Sequence, residues 1–106
     1  VFMENRWVQR QPTDCEVILE TPEAGQIRTR ARNISLGGMF LVTDTQTLPI
    51  ESLVDLDFTL LSADLAVHHH LPGQVVHASG EGVGVMFCDF DPATLSSMRK
   101  TLASRY

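Results

Sequence analysis

Arginine occupies alternate positions at Arg28, Arg30 and Arg32 in R-T-R-A-R-N-I-S-L-G-G-M-F, which runs from Arg28 to Phe40 and leads from Arg32 into Asn33, Ser35 and the pair Gly37-Gly38. A guanidinium presents a rigid planar fork of donors that matches phosphate oxygens bidentately, and the same fork fits the O6 and N7 acceptors of a guanine edge. Asn33 offers a donor and an acceptor to a base edge, and the Ser35 hydroxyl can bond a ligand or clamp a turn. In an extended chain their i, i+2 spacing points both the same way. Gly37 and Gly38 admit a positive φ and let a ligand reach the backbone with no Cβ in the way. Upstream, Arg6 and Arg10 stand four apart in R-W-V-Q-R, placed to reach the same seat from an N-terminal arm. The chemistry these residue types support is the holding of a small anion.

Each half also has an everyday explanation. An R-x-x-x-R near a terminus is commonly a solvated charge pair, and N-x-S-x-x-G is a common turn composition in which Asn and Ser bond the local backbone. For at least one of Arg28, Arg30 and Arg32, a solvated strand face paired with cross-strand acids is expected.

The elements that must position these residues are mostly strands. Cys15, Val17 and Leu19 alternate with Glu16, Ile18 and Glu20, and Ile27, Thr29 and Ala31 alternate with the three arginines, so both segments read as half-buried strands. T-P-E-A-G, Thr21 to Gly25, supplies the turn between them. Further strands are expected at Met39 to Val42, at Leu53 to Leu60, at Val67 to Ala78 with an interruption at Pro72-Gly73, and at Gly82 to Phe87. T-D-T-Q-T-L-P, before the fourth, reads as loop. Six short antiparallel strands punctuated by Gly and Pro predict a closed barrel. The period then changes: Asp91 is suited to an N-cap, Pro92 to the first turn, and Leu95, Met98 and Leu102 recur at helical spacing. Its apolar stripe is expected to cover one end or side of the barrel.

Composition bounds the function classes. With 106 residues, 43% hydrophobic and 20% charged, the chain reads as one ordinary soluble domain with a single modest core. No apolar run approaches the roughly 20 residues of a membrane helix, and no basic-then-apolar leader opens the chain. A first residue that is not Met is expected of a domain excised from a longer protein. Cys15 and Cys88 fall on the expected first and last strands, where thiols serve as small core residues; a disulfide requires those strands to pair, and reduced thiols are the expectation.

The net charge is −5, yet five of the eight basic residues, Arg6, Arg10, Arg28, Arg30 and Arg32, precede Asn33. The acidic remainder would repel long nucleic acid while leaving a local arginine cluster free to take a small anion. Of the consecutive His68, His69 and His70, only the outer two share a strand face, and no third ligand completes a metal site; the segment reads as a surface or edge strand. No nucleophile elbow, H-E-x-x-H or P-loop orders residues for catalysis, so an enzyme is not expected.

The conjunction of R-x-x-x-R at Arg6 and Arg10 with N-x-S-x-x-G at Asn33, Ser35 and Gly38 resembles the signature of the PilZ domain, a family that binds cyclic di-GMP, a bacterial second messenger with two guanines on a ring containing two phosphates. G-x-G-V-x-F from Gly82 to Phe87, followed by an Asp-Pro helix start, is similar to the family as well, so the likeness runs from about Arg6 to the helix. The resemblance implies an all-β fold, a six-stranded antiparallel PilZ-type β-barrel with a C-terminal α-helix, with residues 1–12 as a flexible arm and residues 13–106 as barrel and helix. It implies that Arg6, Arg10, Asn33, Ser35 and Gly38 bind cyclic di-GMP, with Gly37, Arg32 and His77 as further contacts. His77 enters because many members carry a Trp or similar group on the strand reading G-x-V-x-x to stack on a guanine; here Gly73, Val75 and Val76 lead to an imidazole, which offers less stacking area. Asn5 stands where some members have an extra arginine that helps hold a ligand dimer, so the resemblance leaves one or two ligands open.

The function implied is that of a receptor with no cofactor and no catalysis, in the bacterial cytoplasm, that passes binding on as a shape change to an effector protein or flanking domain. Two alternatives stand beside it. One is a degenerate PilZ domain acting only as a protein-protein interaction module. The other is a barrel for single-stranded nucleic acid, against which the acidic middle and the lack of aromatic platforms count.

Overall fold

Alternation along the chain sorts side chains to the two faces of a sheet that curls until its first and fourth strands meet. The structure, a computed structural model, describes residues 9–43, 48–62 and 65–103. Its elements are β1 (Gln11–Thr21), β2 (Gly25–Ile34), β3 (Gly38–Val42), β4 (Leu53–Ser62), β5 (Leu65–Ser79), β6 (Gly82–Phe87) and α1 (Pro92–Ala103). They form a closed antiparallel barrel in the order β1-β2-β3-β6-β5-β4. Val17 and Leu19, Leu56, Phe58 and Leu60, and Val83, Val85 and Phe87 all point inward into one core, as period-2 burial requires.

Helix α1 begins where the Asp91 carboxylate accepts the Thr94 backbone N–H at 2.7 Å, the N-cap bond that satisfies one of the helix's orphan donors. That bond holds the Asp91 carboxyl below its usual value. Met98 and Leu102 are fully buried in the barrel core, and Gln11 donates through Nε2 to the Leu102 carbonyl at 2.9 Å, tying the start of β1 to the end of α1.

The structure corrects some of these expectations and agrees with others. Strand β1 starts at Gln11 rather than Cys15. Pro72-Gly73 does not interrupt β5, which runs unbroken through both residues; Gly73 fits because a Cβ there would strike the Val85 side chain. Leu48, in the segment read as loop, is fully buried. The cysteines do not bridge, because β1 pairs with β2 and β4 rather than β6, and both thiols are free. His68 and His70 face outward, each 2.9 Å from an oxygen of Asp57, whereas His69 between them is buried against Phe58. Among the described residues no helix is long and apolar enough to cross a membrane.

Candidate functional site

Three strands carry one extra residue each, and all three irregularities fall on one line across the sheet. The bulges lie between Pro12 and Cys15 on β1, between Ala31 and Asn33 on β2, and between Val75 and His77 on β5. Register places Pro12 beside Asn33, Asn33 beside Phe40, Phe40 beside Gly84 and Gly84 beside His77. A bulge re-aims side chains that strict alternation would send elsewhere. Counting by twos from Ile27 and Ala31 would carry Asn33 into the core. The β2 bulge instead puts Ile34 inside and leaves Arg32 exposed beside a half-buried Asn33. On β5 the same device leaves Val76 and His77 both exposed after the buried Val75. The bulges thus bring Asn33 and His77 to the outer face, where alternation already places Arg32.

Arg10 joins them: its Nη1 donates to Asn33 Oδ1 at 2.7 Å, so the second arginine of R-x-x-x-R meets the first residue of N-x-S-x-x-G. Arg6 lies outside the described residues, as do Asn5, Trp7 and Val8. Arg32 extends over the ring of Phe40, 5.3 Å from its centroid, and donates to Glu81 Oε2 at 2.6 Å. The other two strand arginines take ordinary cross-strand partners, Arg28 with Glu16 at 3.5 Å and Arg30 with Asp14 at 2.7 Å. The hydrogen bond and charge of Arg30 hold the Asp14 carboxyl below its usual range. All three strand arginines therefore have acid partners.

The turn after β2 departs from the extended-chain expectation. Strand β2 ends at Ile34, so Asn33 and Ser35 do not project together: Asn33 bonds Arg10 outside, whereas Ser35 is buried. The Ser35 N–H donates to the Gly38 carbonyl at 2.8 Å, and the Ser35 hydroxyl accepts the Gly37 N–H at 3.2 Å. Of its two expected roles, clamping the turn is the one the hydroxyl performs here. The two glycines are not equivalent, and neither has a positive φ; among the described glycines that conformation belongs to Gly25. A Cβ on Gly38 would collide with the backbone carbonyl of Val85, so this glycine is demanded by the packing of β3 on β6. A Cβ on Gly37 would meet nothing nearer than the Ser35 hydroxyl at 3.8 Å. Gly37 is the exposed one, open to a ligand, and its carbonyl accepts the Phe87 N–H at 2.9 Å, fixing the turn to the barrel.

Sequence reasoning missed Phe40, Gly84 and Glu81. The available signal was the G-V-G-V pattern of β6: Val83 and Val85 face inward, so Gly82 and Gly84 leave its outer face bare. The Phe40 ring lies beside that bare face, with its Cε2 3.1 Å from where a Cβ of Gly82 would stand, and the His77 Cβ is 3.3 Å from the corresponding point on Gly84.

A groove of about 400 Å³ over β2, lined by Arg28, Arg30 and Arg32 among others, shares Arg32 with this row. A wider cleft of about 580 Å³ lies between β1 and β4, lined by Asp14, Glu16, Ile18, Asp57, Leu61 and His68 among others. It contains none of the motif residues and no Lys or Arg, so its field is wrong for an anion.

Residues 6–104 match the sequence profile of the PilZ domain, and the chain belongs to that family. Among solved structures it is similar to the Bacillus subtilis inhibitor of motility, MotI/DgrA, with a TM-score of 0.78 and 17% identity over 97% of this chain and 52% of that one. It therefore spans about half the length of the motility inhibitor. The PilZ domain of CeSA from a cellulose-synthesising bacterium superposes with a TM-score of 0.70 and 13% identity, over 90% of this chain and 95% of that one. An uncharacterised Legionella protein superposes with a TM-score of 0.54 and 14% identity, over 90% of each chain. At these identities the likeness is one of fold. No curated protein matches the chain.

Proposed function

We propose that this PilZ domain is a receptor for cyclic di-GMP, which binds on the outer face across the row from Asn33 to His77. The observation that carries the reading is the Arg10–Asn33 hydrogen bond, which brings the two halves of the motif into contact on the face that also carries the exposed Arg32 and His77. Arg10 keeps further N–H donors for phosphate or a guanine edge, since one of its five is committed to Asn33. Gly37 offers open backbone beside them, and the imidazole of His77 offers a small stacking surface. Arg6, from the other end of R-x-x-x-R, completes the arginine pair in this reading, and Gly38 and Ser35 serve it by shaping the turn.

Binding without reaction suits these groups: they supply donors and a stacking surface, and the domain acts by changing how its N-terminal segment faces an effector protein or a neighbouring domain. Calorimetric titration tests the reading. Cyclic di-GMP should bind, GMP should bind far more weakly because it cannot span the row, and affinity should fall with added salt as expected for phosphate met by arginine. A flat titration at high micromolar cyclic di-GMP contradicts it and favours the interaction-module alternative.

A further inference from the structure

Of the two guanidiniums beside Asn33, Arg10 faces a neutral amide and Arg32 faces a carboxylate. That difference is not an accident of strand pairing. Arg28 and Arg30 find their acids on the adjacent strand β1. Arg32 instead reaches from β2 across β3, over the Phe40 ring, to an acid in the turn between β5 and β6. The turn is itself braced, with the Glu81 N–H donating to Ser79 Oγ at 3.2 Å. Half or more of the surface of both side chains is exposed, 50% for Arg32 and 69% for Glu81, so the pair can open without unpacking the core.

We propose that Glu81 is a built-in competitor for the anionic ligand: its carboxylate occupies the donor edge of Arg32 that a phosphate or guanine edge of cyclic di-GMP takes over on binding. Glu81 is then a residue that sets affinity without touching the bound ligand. Binding exchanges one acceptor for another on the same guanidinium. The inference rests on the receptor reading above and adds to it the assignment of Glu81.

The test is a double-mutant cycle read by calorimetry with cyclic di-GMP on the parent chain, Glu81→Gln, Arg32→Ala and the double variant, each checked for an unchanged melting curve. Breaking an exposed ion pair is worth a factor of about two to five, so Glu81→Gln should bind about two- to fivefold tighter than the parent. In the Arg32→Ala background the same change should give no gain, because the competition acts through that guanidinium. An equal gain in both backgrounds would reduce Glu81 to one more negative charge on an acidic domain and overturn the inference. So would a parent that binds while Glu81→Gln binds no tighter, leaving the receptor reading intact. Absence of binding by all four proteins removes the receptor reading and the inference together.

Discussion

The Arg10 guanidinium donates to the Asn33 side-chain oxygen across 2.7 Å, joining residues 23 apart in sequence on the outer face of the barrel. The contact fixes the orientation of the Asn33 amide: with the oxygen turned to Arg10, the NH2 group is left to donate elsewhere. Two motifs that are commonplace singly thereby become one polar surface.

Replacing either partner should damage binding and spare the fold. Arg10→Ala and Asn33→Ala should each weaken cyclic di-GMP by about tenfold or more, in the range of a charge-assisted hydrogen bond. Melting temperatures should stay near the parent's because the bond is exposed. Arg10→Lys should rescue only partly, restoring charge without the planar fork. Ser35→Ala should differ in kind, lowering stability along with affinity because the buried hydroxyl holds the turn.

The adjacent glycines should separate folding from binding. Gly38→Val forces a side chain into the Val85 backbone and should destabilise the domain by about 3 kcal/mol or more, the upper range of overpacking, as read by chemical denaturation. Gly37→Ala makes only an ordinary contact with the Ser35 hydroxyl and should change stability by no more than about 0.5 kcal/mol while lowering ligand affinity. A Gly38→Val protein as stable as the parent would refute the packing role assigned to that residue.

Much of the fold was legible because burial in a closed sheet has a period of two that the chain displays in β1, β4 and β6, and because Asp91-Pro92 announces the helix. The bulges were not legible. Those on β2 and β5 insert one residue without a Gly or Pro to mark it, Pro12 borders the one on β1, and the one on β2 decides whether Asn33 turns to the core or to the outer face. The role of Gly38 is hidden for a related reason: a glycine beside a motif suggests ligand approach, whereas the strand that needs its space, β6, comes more than forty positions later. The Arg32–Glu81 pair likewise depends on strand order.

His69 should make the domain acid-sensitive. Burial, with a smaller contribution from the charge of His68, pushes its pKa below the ordinary 6.5, and its Nε2 has no hydrogen-bond partner. The unfolded chain takes up this proton as pH falls below about 6.5 while the folded ring resists it, so stability should decline from there until the lowered folded value is reached. His69→Leu should melt at or above the parent's temperature at pH 7.5 and lose part of that decline. Identical pH profiles for the two proteins would show that His69 does not contribute.

The helix cap makes a prediction of the same sign at lower pH. Because the Thr94 N–H depresses the Asp91 pKa, the cap's contribution is complete above the ordinary carboxylate value and is lost as pH falls through the lowered folded one. Asp91→Ala should reduce the melting temperature at neutral pH, and the gap to the parent should close in strong acid.

A backbone amide chemical-shift titration of the domain with cyclic di-GMP reads both binding and its place on the barrel. The saturating changes should centre on Arg10, Arg32, Asn33, Gly37, His77 and Gly84, with Glu81 shifting as Arg32 leaves it. Shifts confined to the cleft between β1 and β4, or no shifts at millimolar ligand, would contradict a receptor site on the row from Asn33 to His77.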